Sequence, residues 1–150
     1  MPGYRAHLGF GFTLGLICLA GLFFWGMYRP PIETMAILLG LCLVGSLTPD
    51  VDTDSKGQNL VYSLLILFDL FLIFKGEYKW AAILGFCAML PAIGHHRGWT
   101  HTWWAMLLIP LPILAAPVYL FHQPWQQVLP YYLAFVLGFF SHLLLDRQFF

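Results

Sequence analysis

Three short stretches of this chain carry the residue types that bind metals and activate water. In "TPDVDTDS" the carboxylates Asp50, Asp52 and Asp54 stand at alternate positions directly after Pro49. Carboxylates this close repel one another, and a divalent cation relieves the repulsion while taking their oxygens as ligands. In "HHRGWTH" His96 and His101 flank Gly98, which permits a sharp backbone turn, and Thr100 is in position to cap the helix that follows. In "GFFSHLLLD" His142 and Asp146 are spaced i, i+4, so both project from one helix face a turn apart. His7, three residues into "YRAHLGFG", adds one more imidazole. Imidazole nitrogens suit zinc, iron, nickel or copper, and mixed imidazole and carboxylate sets suit zinc, iron or manganese.

Taken singly, each stretch has a bland reading. His142 and Asp146 could be a hydrogen-bonded pair at a helix end, the aspartates a solvated acidic turn, and His7 a surface histidine. What gives them weight is the kind of chain that carries them. Its composition is 60% hydrophobic and 9% charged, with 18% aromatic residues and a mean hydropathy of +0.76. These values predict a single-domain integral membrane protein over residues 1–150, of the all-α, polytopic helical-bundle class. Seven basic residues balance seven acidic ones, so no nucleic-acid partner is expected. The lipid bilayer is the expected surrounding. Cys18, Cys42 and Cys87 each stand alone in an apolar run without CxxC spacing, and read as packing residues.

About six hydrophobic segments position these groups, at 8–28, 33–48, 58–74, 80–94, 102–121 and 128–146. The first is read as a retained helix, since no small-residue cleavage site follows it. The first, fifth and sixth have the length of a straight span, while the pair at 58–74 and 80–94 forms either a full or a re-entrant hairpin. "RPP" at 29–31 is expected to end the first helix, and Pro49 the second. Trp25, Trp80, Trp99, Trp103, Trp104 and Trp125 all fall near span ends, where indoles favour the interface.

Counting spans from the N-terminus puts His7, the aspartate turn, "HHRGWTH" and the end of the last helix on one membrane side. The opposite loops carry Arg29, Glu33, Lys75, Glu77, Lys79 and His122, with no comparable cluster. Parity therefore gathers His7, Asp50, Asp52, His96, His101, His142 and Asp146 from four separate places into one candidate metal site. Seven candidates exceed the four ligands usual for one zinc, so one or two ions are expected, zinc first, with manganese or iron as alternatives. Arg5, Lys56, Arg97 and Arg147 on the site's side, against Arg29, Lys75 and Lys79 opposite, lean toward a cytoplasmic site. Asp69, the remaining acid within a span, is expected to be hydrogen-bonded internally or to sit at the interface.

The ordered set "AHLGFG", "LTPDVDTDS", "HHRGWTH" and "GFFSHLLLD" resembles the YdjM-like family of predicted inner-membrane, metal-dependent hydrolases, which includes a LexA-regulated bacterial member. The likeness covers nearly the whole chain. It maps onto His7, Asp50 and Asp52, then His96, Arg97, Gly98, Thr100 and His101, then His142 and Asp146; His95 and Asp54 fall outside it. The set is also similar, more distantly, to zinc-dependent phospholipase C in its ligand pattern. The resemblance implies a bacterial inner-membrane hydrolase in which a metal activates water. Asp52 would bridge, ligate or act as general base, and Arg97 would clamp an anionic phosphoryl group or pair with an aspartate. A site at the membrane boundary would receive a lipid or lipid-linked phosphoester. The alternative is a non-enzymatic metal-binding membrane protein, structural, regulatory or transporting.

Overall fold

The computed structural model describes residues 3–52, 56–93 and 99–146. The described residues are helical and contain no strand. Seven α-helices follow in order: α1 Tyr4–Phe24, α2 Ile32–Leu47, α3 Lys56–Phe74, α4 Tyr78–Ile93, α5 Trp103–Leu108, α6 Leu111–Leu120 and α7 Trp125–Leu145. Two short 3₁₀ turns, Thr48–Asp52 and Trp99–His101, stand between helices. Four helical stretches are long and apolar enough to cross a bilayer: Tyr4–Phe24, Ile32–Val51, Lys56–Phe74 and Trp125–Leu145. The 21 residues of α1 extend about 32 Å, enough for a hydrocarbon core of about 30 Å. The chain is an all-α membrane bundle.

Helix ends follow from backbone chemistry. α1 stops at Phe24 because Gly26 adopts φ +72°, a conformation that costs glycine no steric penalty. The Gly26 amide donates to Phe23 O (3.1 Å) and the Met27 amide to Leu22 O (3.0 Å), which is the Schellman arrangement. The helix is thus closed by Gly26, ahead of the "RPP" that sequence reasoning assigned as the stop. Gly76, at φ +80°, closes α3 in the same way, and α4 begins two residues later.

The fifth apolar segment departs from expectation. It is broken into α5 and α6 at Pro110. Pro110 and Pro112 lack the amides that would reach the Met106 and Leu108 carbonyls, so two hydrogen bonds are missing within one turn. The chain re-forms through the Ile113 amide on Pro110 O at 2.9 Å.

The centre of the bundle is α7, which packs against α1, α2, α5 and α6. Its contact with α2 is close because both helices present glycine there. A Cβ on Gly138 would collide with Cys42 O, and one on Gly45 with Phe135 O. α1 joins through Gly11, where a Cβ would lie 2.7 Å from Ser46 Cβ. In a bilayer, where apolar side chains gain little by leaving lipid, such small-residue contacts are what bring backbones together. Cys42 Sγ donates to Gly11 O at 3.4 Å, a packing role as expected.

Two buried clusters flank this seam. Ala105, Phe135, Phe139 and Leu143 join α5 to α7. Leu47, Val51 and Val61 tie the Thr48–Asp52 turn to α3, helped by a Gln58 Nε2 hydrogen bond to Val51 O at 2.9 Å. Outside, α3 exposes Leu60, Leu64, Leu67, Phe71 and Phe74, a continuous apolar stripe suited to lipid. Asp69 lies in the C-terminal half of α3, and its Oδ1 is buried without a hydrogen-bond partner among the described residues.

Candidate metal centre

α1, α2, the Trp99–His101 turn and α7 each bring one end to the same place. His7 lies in the first turn of α1, Asp50 in the turn that extends α2, His101 just before α5, and His142 and Asp146 at the end of α7. His142 Nε2 is 3.5 Å from both Asp50 Oδ1 and Asp146 Oδ2. His101 Nε2 is 3.6 Å from Asp50 Oδ1, and His7 Nε2 is 3.5 Å from Asp146 Oδ1. The His7 and His142 rings stack with centroids 3.8 Å apart, and His101 meets His142 edge-on at 5.5 Å. The side chains of His7, His101, His142 and Asp146 are all at most 5% exposed, whereas that of Asp50 is 22% exposed and opens the cluster outward.

His142 is the residue that an ion-pair network accounts for least well. Its Nδ1–H donates to Ser46 O at 2.7 Å. That carbonyl is in the last turn of α2, where Pro49, three residues on, has no amide with which to claim it. The close α2–α7 contact carries Ser46 within reach of the ring. With Nδ1 committed, Nε2 faces two carboxylates, although one nitrogen carries at most one proton. Nε2 in fact makes no hydrogen bond, and neither do the buried His7 Nδ1 and Asp146 Oδ1 among the described residues. Buried polar atoms are almost always satisfied. Protonating the stacked His7 and His142 together would set two cations face to face.

A cation among these atoms would resolve the arrangement. Ligands held at 2.0–2.2 Å on a tetrahedral ion are about 3.3–3.6 Å apart, whereas neighbouring ligands at about 2.0 Å on an octahedral ion are about 2.9 Å apart. The nitrogen-to-oxygen separations of 3.5 and 3.6 Å suit donors around a tetrahedral ion and equally those around a larger six-coordinate ion with longer ligand distances. Two ligand sets satisfy the proximity a metal requires: His7, Asp50 and His142, and His101, His142 and Asp146, the atoms within each lying within 4.8 Å of one another. Helix dipoles contribute little net preference, because the C-terminal ends of α2 and α7 face the starts of α1 and α5. The carboxylates decide the sign.

Of the seven residues singled out in the sequence, the fold brings together His7, Asp50, His101, His142 and Asp146. Asp52 ends the 3₁₀ turn beside Asp50, and its side chain lies outside the description. His96 and Arg97 lie outside the described residues, as do Gly98, His95 and Asp54. Thr100 takes a different role from the one expected. The N-cap of α5 is Thr102, whose Oγ1 accepts from the Ala105 amide at 3.3 Å. Thr100, 2% exposed, instead places Oγ1 3.2 Å from His101 Nδ1. Sequence reasoning also passed over Ser46, which contributes a backbone carbonyl that no side-chain motif announces; Pro49 three residues later was the available signal.

The fold and the site define an integral membrane helical bundle with a buried histidine and aspartate centre at one end. The chain belongs to the YdjM inner membrane protein family, whose model matches residues 1–148. It is therefore an integral inner-membrane protein. No curated protein and no solved structure matches it.

Proposed function

We propose that the chain is a membrane-embedded, metal-dependent hydrolase whose substrate is a lipid or lipid-linked phosphoester. The observation that carries this reading is His142. Its Nδ1 is held by Ser46 O, and its buried Nε2 faces two carboxylates without a hydrogen bond among the described residues. His142 has only one free ring nitrogen, so the two possible ligand sets that share it compete for one ion. His7, Asp50 and His142 would supply one set, and His101, His142 and Asp146 the other. Zinc suits the donor set best; manganese or iron would also be accommodated. Such an ion supplies a water acidified to a pKa of about 7 and a Lewis acid for a phosphoryl oxygen.

The remaining roles belong to the chain itself. Asp50, the most exposed of the five carboxylate and imidazole side chains, marks the edge at which a substrate group enters. Asp52, adjacent in the same turn, is assigned to bridging, ligation or general-base duty. Arg97 is assigned to the phosphoryl anion, whose oxygens match its donor fork. The exposed indoles of Trp103 and Trp104 sit two and three residues past His101, which supports a centre near headgroup depth. Lipid tails could then stay in the bilayer during hydrolysis.

The near-complete burial of four candidate ligands supports a second reading, a purely structural ion with no open position. One assay separates the two. Purified protein in vesicles of phosphatidylglycerol and phosphatidic acid should release phosphate or a phosphorylated headgroup, lose that activity to a chelator and regain it with Zn²⁺. Stoichiometric metal with no turnover of lipid phosphoesters would leave the structural ion and sink the hydrolase.

A further inference from the structure

Two imidazoles of the centre are held from behind in matching ways. His142 Nδ1 is 2.7 Å from Ser46 O, and His101 Nδ1 is 3.2 Å from Thr100 Oγ1. Both partner residues are buried, Ser46 fully and Thr100 to within 2%. On the far side of each ring Nε2 points at the same atom, Asp50 Oδ1, at 3.5 and 3.6 Å. His7 has no such support: its Nδ1 is buried without a hydrogen-bond partner among the described residues. Metal-binding histidines characteristically donate the second ring N–H to an oxygen acceptor, which fixes tautomer and ring orientation.

We propose that Thr100 is a positioning residue of the metal centre, its hydroxyl accepting His101 Nδ1–H so that Nε2 is left bare and aimed at the ion. This rests on the metal reading above. Local structure makes the role available. Thr102 takes the capping duty of α5 and donates its own hydroxyl to Trp99 O at 2.6 Å, so Thr100 is not needed at the helix start. The 3₁₀ turn Trp99–His101 places the hydroxyl beside the neighbouring ring, and β-branching restricts its rotation. Thr100 thus does for His101 what a freed backbone carbonyl does for His142.

The test compares wild type, Thr100→Val and Thr100→Ser in detergent. Zn²⁺ affinity is measured by competition with a chromophoric chelator, Co²⁺ geometry by its visible d–d spectrum, and metal-free stability by thermal unfolding. Valine keeps the shape and removes the acceptor. The expected result is a Zn²⁺ affinity lowered by about 10–100-fold, an altered Co²⁺ spectrum, an unchanged metal-free Tm, and recovery of both metal readouts with serine. Wild-type affinity in Thr100→Val would overturn the proposal. So would a fall in metal-free Tm alongside the loss of affinity, or failure of serine to restore it. If wild type binds neither ion, the metal reading falls and this role with it; tight wild-type binding beside an unperturbed valine variant removes only the role of Thr100.

Discussion

Asp146 distinguishes a metal centre from an ion-pair network at the scale of single residues. Its carboxylate is 5% exposed, and its Oδ2 lies 3.5 Å from His142 Nε2. If the pair were a buried salt bridge, removing the charge would strand the imidazolium and cost about 3–5 kcal/mol. If the carboxylate instead awaits a metal, the metal-free protein already holds an uncompensated charge. Asp146→Asn should then leave metal-free stability equal to wild type or higher, while abolishing the rise in Tm that Zn²⁺ gives wild type. Thermal unfolding with and without Zn²⁺ decides the point, and a large destabilisation of the metal-free variant would favour the salt bridge.

At the scale of elements, the position of His142 depends on how closely α2 approaches α7. Gly138→Ala drives a Cβ into Cys42 O, and overpacking of this kind costs about 1–3 kcal/mol or more. It should also lower Zn²⁺ affinity, because the helices must separate where Ser46 O receives His142 Nδ1–H. Gly40, also in α2, has open space around it. Gly40→Ala should therefore be neutral or gain up to about 1 kcal/mol of helix stability. Equal Tm values for the two variants would contradict the close-contact account. The apolar segments and the order of the ligand motifs were legible in the sequence because hydropathy and donor chemistry are written in side chains. Gly26 overtaking the "RPP" stop, the break at Pro110, and the exchange of duties between Thr100 and Thr102 were not. Each is settled by backbone donors and acceptors whose partners emerge only from packing. Span parity placed His7, Asp50, His101, His142 and Asp146 on one face, but it could not reveal that His142 lies at their centre with Ser46 behind it.

At the scale of the whole molecule, the account requires the centre's end of the bundle to lie on one membrane side and the turns after α1, α3 and α6 on the other. The 19 residues of α3 extend about 28 Å, so Lys56 and Glu77 should be on opposite sides. With the three native cysteines replaced, Lys56→Cys and Glu77→Cys should react with a membrane-impermeant thiol reagent from opposite faces of the membrane, and Glu77→Cys from the same face as His122→Cys. Labelling of Lys56→Cys and Glu77→Cys from one face would make α3 and α4 a re-entrant pair. Under the proposed function, helix ends distant in sequence share one metal ion. Elemental analysis of the purified wild type and of Asp50→Ala, His101→Ala and His142→Ala tests it most directly. Wild type should carry a stoichiometric divalent metal and all three variants should lose it; unchanged metal content in the three would refute the shared site.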